Sequence, residues 1–261
     1  MPIHRAIVAV IILLLCASTV PAQHPAAEVA DAVRSYRSTN EIEILRQLAS
    51  LVSLPNVASN LQDMDRNAQN LQRLFEDRGF ETGLLRAEGA PPVVFAERTI
   101  EGAAKTVVFY AHYDGQPVVP ELWASDPYTM VVRKGRLEEG ADGVPFSKLR
   151  EPVNPEWRLY GRSTSDDKVS IVALLAAIDA LDDAGIAPSV NLKILLDGEE
   201  ERGSPHMAKI LDNNRDRLGA DLWIFCDGPM HQTRLPQVVY GVRGVTSVQI
   251  TAYGAAVGLH S

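Results

Sequence analysis

The stretch VSIVALLAAIDALDDAGIAPSVNLKILLDGEEERG, residues 169–203, decides the fold class. Val169 to Leu181 is apolar nearly all round, which predicts a buried helix. Gly185 and Pro188 end it. Val190 to Leu196 then reads as a strand that runs straight into Asp197 and the acidic run Glu199 to Glu201. Outward from there the same alternation continues. Thr106 to Tyr110 is a second apolar strand, running into His112 and Asp114 and broken by Gly115 and Pro117. Leu222 to Phe225 is a third, leading to Cys226 and Asp227. Val93 to Ala96 is a short strand after Pro91-Pro92. Residues 24–50, Asn60 to Arg78 (with Gly79 as a stop) and Met207 to Leu218 read as helices. Residues 135–157, rich in Gly, Pro and charge, read as a surface loop. Strands alternating with helices predict an α/β fold: a mainly parallel sheet with helices on both faces. In such sheets ligands bind at the carboxyl ends of the strands, and three strands here end in acidic or His residues.

Composition sets bounds on partners. The chain has 261 residues and a formal net charge of -8, with 46% hydrophobic and 22% charged residues. That is an ordinary globular balance. The acidity argues against a nucleic-acid partner, which needs clustered Lys and Arg. Carboxylates are hard oxygen ligands, so metal cations stay open.

The first 22 residues read as a signal peptide. Arg5 supplies the positive start, Ala6 to Ala17 the apolar run, and Val20-Pro21-Ala22 the small residues before a cut after Ala22. The alternative is an uncleaved anchor. Leu15 before Cys16 is too bulky for a lipoprotein signal. Cleavage removes Cys16 and leaves Cys226 alone, so the mature chain has no internal disulfide. Secretion or a periplasmic location is the expectation.

The candidate ligands are His112, Asp114, Asp166, Asp167, Glu200, Glu201 and Asp227. Singly each has a plainer reading. His-x-Asp often caps a strand, Asp-Asp before a helix is often an N-cap, an acidic run is usually a solvated turn, and Asp-Gly is usually a turn. Jointly they form a carboxylate-rich cluster with one imidazole, a donor set suited to zinc or manganese. So much negative charge in one place is costly without a cation.

The motifs carry a family resemblance. Tyr110-Ala-His112-Tyr-Asp114, then Trp123 with Asp126-Pro127-Tyr128, then Tyr160-Gly-Arg162 leading to Asp166-Asp167-Lys168, resemble the M20 metallopeptidases. Glu200-Glu201-Arg202-Gly203-Ser204 and the closing Gly258-Leu259-His260-Ser261 resemble two further motifs of that family. The resemblance covers about residues 40 to 261 and points to the dipeptidase, carnosinase-like and aminoacylase branch. Ser163 and Val169 stand where the family has Gly, and the loop from Lys134 to Trp157 is longer than usual.

The resemblance implies a zinc-exopeptidase-like fold and hydrolysis of an amide bond in a dipeptide or N-acyl amino acid. It implies two divalent metal ions, zinc first, with manganese or cobalt as alternatives. His112 and Asp227 resemble ligands of the first ion, Asp166 the bridging carboxylate and Glu201 a ligand of the second. Asp114 resembles the partner that orients His112, Glu200 the general base, and His260 a substrate-binding residue. A cis peptide bond after Asp166 is implied as well. Residues 23–240 are then expected to form an incomplete catalytic domain. Residues 241–261 would begin a lid and dimerisation domain, with Val245 to Ala252 as its first strand. The full-length protein would be a homodimer through that lid. On this reading the chain is an N-terminal fragment, inactive alone and binding about one tight zinc. The competing readings are a non-catalytic relative used as a binding module, and a metal-dependent phosphatase or nuclease.

Overall fold

In the computed structural model, residues 25–228, 230–235, 237–244, 246 and 248–254 are described. The chain divides into two units, one ending at Asp227 and one from Gly228 onward. In the second unit, the described residues of the expected strand over 245–252 lie in no regular element. His260 and the proposed leader lie outside the described residues. Among the described residues no helix is long and apolar enough to cross a membrane.

The first unit is built on a five-stranded sheet. Its strands are β1 (Glu81–Leu85), β2 (Val93–Arg98), β3 (Thr106–His112), β7 (Asn191–Asp197) and β8 (Leu222–Phe225). The order is β1-β2-β7-β3-β8. β3 pairs in parallel with both β7 and β8, while β2 adds to β7, and β1 to β2, antiparallel. The three parallel strands and β2 are those read from the sequence, which did not foresee that β2 runs antiparallel. β1 was not foreseen, because this edge strand is mostly half-exposed and carries little apolar pattern. Alternate residues of each strand point to opposite faces. Val94, Ala96, Ala111, Ile194 and Leu196 pack under α1 (Ala26–Val52), α2 (Leu61–Glu76) and α3 (Lys168–Asp183). Val93, Phe95, Val108, Tyr110 and Leu195 pack against Ile210 of α4 (Met207–Asn213) and Leu218 of α5 (Arg215–Leu218). Helices therefore cover both faces. The inner strands β2, β7 and β3 are largely buried, while the edge strand β1 is mostly half-exposed and the edge strand β8 largely exposed.

Local chemistry sets the helix limits. Asn60 caps α2, its side-chain oxygen accepting from Asp63 N at 3.2 Å. Met64, Ala68, Leu71 and Phe75 are its buried stripe. Gly79 follows in the left-handed region, φ +75°, with open space where a Cβ would stand, so conformation alone asks for Gly there. α1 kinks at Asn40, whose side-chain amide donates to Tyr36 O at 2.9 Å in competition with the backbone. Two bidentate pairs fix α3: Arg78 to Asp179 at 2.7 Å on both arms, and Arg98 to Asp182 at 2.8 and 2.9 Å.

The stretch expected to be a loop holds part of a second sheet. β4 (Val131–Arg133) pairs antiparallel with β5 (Gly143–Val144) and with β6 (Arg158–Tyr160). Strands of two or three residues are too short to show an alternation in sequence.

Candidate metal centre

Strand ends assemble the site. β3 ends at His112, which lies opposite Asp197 at the end of β7. β8 ends at Phe225 opposite Tyr110, and Cys226 N continues the ladder to Tyr110 O at 2.8 Å, which brings Asp227 to the same edge. α3 starts at Lys168, just after Asp166 and Asp167, and the Asp166–Asp167 peptide is cis as the resemblance implied.

His112, fully buried, is the centre of the arrangement. Its Nδ1 lies 3.2 Å from Asp114 Oδ1 and its Nε2 lies 2.8 Å from Asp166 Oδ1. The same Nε2 is 3.8 Å from Asp227 Oδ2 and 3.9 Å from Glu200 Oε2. One ligand atom from each of His112, Asp166 and Asp227 can be chosen so that all lie within 4.8 Å of one another. Of the expected ligands, the structure thus brings three together. Glu201 sits on the neighbouring turn, with its Oε2 accepting from Gln116 Nε2 at 2.9 Å.

Asp114 does more than orient the ring. It is fully buried, and besides His112 it accepts from Glu200 N at 3.1 Å and Glu201 N at 3.2 Å. Asp167 occupies the N-cap position of α3 but makes no cap bond with its side chain. Its carboxylate accepts instead from His112 N at 3.2 Å and from the Ser170 hydroxyl, tying the end of β3 to α3. Lys168 is buried and donates to Leu51 O and Leu54 O at the end of α1, away from the acidic cluster.

Residues not named as site candidates hold the Glu200 turn. Asp197 Oδ2 accepts from Tyr110 OH at 3.1 Å and Ser204 Oγ at 2.5 Å, and its Oδ1 from Glu199 N at 3.0 Å. Glu199 accepts from His206 N at 2.8 Å, and both its oxygens lie 3.0 Å from His206 Nδ1. Asn56 donates to Tyr113 O at 2.8 Å and Ser163 Oγ at 2.9 Å. The one sequence signal for Asp197 was its place directly after an apolar strand.

The electrostatics favour a positive charge at the cluster. Burial pushes the His112 imidazolium down. The hydrogen bond and charge of Asp114, then Asp166 and Asp167, outweigh that and hold it up at about 10. Burial raises the Asp114 carboxyl against the lowering effect of His112. It pushes Asp167 up to about 6 despite the hydrogen bonds from Ser170 and His112 N. Glu200 and Asp227 are raised by burial, opposed by His112 and reinforced by neighbouring carboxylates. One imidazole whose far nitrogen is held by a buried carboxylate, with two further carboxylates converging on its near nitrogen, is a donor set that fits a divalent ion.

The sequence profile of Peptidase family M20/M25/M40 matches residues 108–257. The chain is 30% identical over 175 residues to the Cys-Gly metallodipeptidase of Schizosaccharomyces pombe, covering 66% of this chain and 32% of that protein. It is 25% identical over 258 residues to the human Beta-Ala-His dipeptidase, covering 91% of this chain and 46% of that one. Among solved structures, an M20 family metallo-carboxypeptidase from Sulfolobus solfataricus superposes with a TM-score of 0.60 at 29% identity, over 75% of this chain and 39% of that chain. Human carnosine dipeptidase 1 gives 0.61 at 23% identity, over 76% and 41%, a likeness of fold. The chain spans less than half the length of each of these relatives.

Proposed function

The chain belongs to peptidase family M20/M25/M40, and from that premise we propose that the whole protein hydrolyses the amide bond of a dipeptide or N-acyl amino acid in a metal-dependent reaction. The observation that supports this best is the convergence of His112, Asp166 and Asp227. These three would hold the first ion, and Asp166 with Glu201 would contribute to a second. Zinc, or manganese or cobalt in its place, would supply Lewis acidity, polarising the scissile carbonyl and acidifying water. Asp114 keeps the His112 ring in the tautomer that leaves Nε2 free to bind. Glu200 is the general base: it takes a proton from the attacking water and passes it to the leaving nitrogen. Its raised carboxyl suits that exchange. The names of the relatives suggest a Cys-Gly or β-Ala-His type of substrate. Export after cleavage at Ala22, and a homodimer, belong to the same reading.

The test is hydrolysis of Cys-Gly, β-Ala-His and N-acetyl amino acids by the whole protein, stripped with a chelator and then reloaded with zinc, manganese or cobalt. The expected outcome is activity that returns with metal, is lost in His112→Ala together with metal binding, and is lost in Glu200→Gln with metal binding kept. Tight metal binding without hydrolysis of any of these substrates would favour a binding module instead. Separately, N-terminal sequencing of exported protein should begin at Gln23.

A further inference from the structure

The loop that carries Glu200 is held from two sides by fully buried carboxylates. From one side Asp114 accepts the amide protons of Glu200 and Glu201. From the other Asp197 takes hold of the two ends of the turn, Glu199 N at its start and Ser204 Oγ at its close. Asp197 is itself anchored. Tyr110 OH donates to the same oxygen that Ser204 reaches, and the Asp197 carbonyl accepts from Tyr113 N at 2.8 Å, between His112 and Asp114. Ser204 has φ +46°, a left-handed conformation unusual for a residue with a Cβ, and its bond to Asp197 helps hold it there.

We propose that Asp197 is a positioning residue for Glu200: it fixes the turn's two ends, so that Glu200 Oε2 stands 3.9 Å from His112 Nε2. This rests on Glu200 being the general base. Three donors converge on its carboxylate. An asparagine turned with its oxygen toward Glu199 N and its amide toward the two hydroxyls, which can rotate to accept, keeps all three bonds, so the variant that releases the turn is alanine. The Asp197 carboxylate bonds to Tyr110, Glu199 and Ser204 and not to the side chains of His112, Asp166 or Asp227, so its effect should reach the base and not the metal ligands.

The experiment is a double-mutant cycle between D197A and E200Q in the metal-loaded whole protein, with metal affinity measured beside the kinetics. E200Q alone must remove most turnover; if it does not, the base assignment fails and this inference with it. D197A should lower kcat by about 10- to 100-fold, the cost of a displaced catalytic group, and D197N, which can keep the three bonds, should lower it far less. KM and metal affinity should stay within about twofold, since neither depends on where the base stands. In the E200Q background D197A should change the residual rate by less than about twofold, because residues acting as one unit are not additive. Effects that multiply in the double variant, or a loss of metal affinity as large as the loss of kcat, would overturn the proposal. If D197A does not fold, S204A carries the same cycle by removing one of the three donors. A kcat loss absent in the E200Q background supports the proposal, and a multiplying one overturns it.

Discussion

Two sets of carboxylates meet at the end of the sheet, and they are built differently. Asp114 and Asp197 are fully buried, and donors from the backbone, hydroxyls and the His112 ring reach both oxygens of each. Asp166, Glu200 and Asp227 stand further out, with side chains 66%, 36% and 35% exposed, and all three face the one nitrogen, His112 Nε2. A buried carboxylate without donors is costly, so the inner pair belongs to the architecture. The outer set holds more negative charge than a single imidazole offsets, so it is where a cation stabilises the arrangement. Position in the fold separates the holders from the binders, although both are Asp or Glu beside the same motifs.

The sharpest way to break that comparison is one substitution in each set. Asp114→Ala strands the His112 ring and two amides in the interior. It should cost about 3–5 kcal/mol of stability, the range for removing one partner of a buried pair. Metal affinity should fall about 10- to 100-fold as the ring loses its orienting partner. Asp227→Asn should lower metal affinity at least as much, because it removes a proposed ligand and not merely its support. Without metal, however, its unfolding free energy should stay within about 1 kcal/mol of the wild type, since it relieves repulsion at a half-exposed position. Denaturant unfolding of metal-free protein and metal titration of both variants would decide. Equal stability losses would erase the distinction between the two sets.

The outer set was legible in the sequence and the inner set only in part. Apolar runs ending in His112, Asp197 and Asp227 announce strand ends, and strand ends in an α/β sheet converge at one edge. The order of the motifs added roles and the cis bond after Asp166. The reach of Asp114 to the amides of Glu200 and Glu201 was not legible, because that contact depends on β3 and β7 pairing in a register no local pattern encodes. Asn56 sits in a polar-looking loop, and nothing local says that it is buried against Tyr113 and Ser163. The edge strand β1 and the small sheet of β4 to β6 escaped because edge position and short length remove the alternation that marks a strand.

A smaller effect should come from Gly198, between Asp197 and Glu199. A Cβ there would stand 2.6 Å from the Tyr113 hydroxyl and 2.8 Å from Pro91 Cβ. Tyr113 is fully buried, and its hydroxyl donates to Pro92 O, so it has little room to withdraw. Gly198→Ala should therefore destabilise by about 1–3 kcal/mol, as overpacking does. It should also lower kcat, because the strain falls on the turn that carries Glu200. Thermal unfolding with parallel kinetics checks both, and an unchanged Tm would mean that the inner shell is looser than its contacts suggest.

The smallest effect is expected at Ser163, where the resembling family has Gly. Ser163 has φ +59°, so its Cβ stands in the left-handed region. Replacing it with Gly relieves a strain of about 1 kcal/mol. Against that, Gly widens the unfolded ensemble, at about 0.4–1 kcal/mol. The hydroxyl also accepts from Asn56 Nδ2 at 2.9 Å, a bond whose loss costs about 1 kcal/mol. Asn56 Nδ2 keeps its second acceptor, Tyr113 O at 2.8 Å, so it is not stranded. The three effects leave Ser163→Gly destabilising by no more than about 1 kcal/mol, a fall in Tm of roughly 2–4 °C or less. Metal affinity should change little, because the hydroxyl reaches the cluster only through a long bond to the Asp114 backbone carbonyl, at 3.4 Å, and bonds to none of its side chains. A Tm drop beyond about 10 °C would show that Ser163 carries more of the inner shell than its two hydrogen bonds account for. A rise in Tm would show that the left-handed strain outweighs the bond, and that the hydroxyl is kept at a cost in stability.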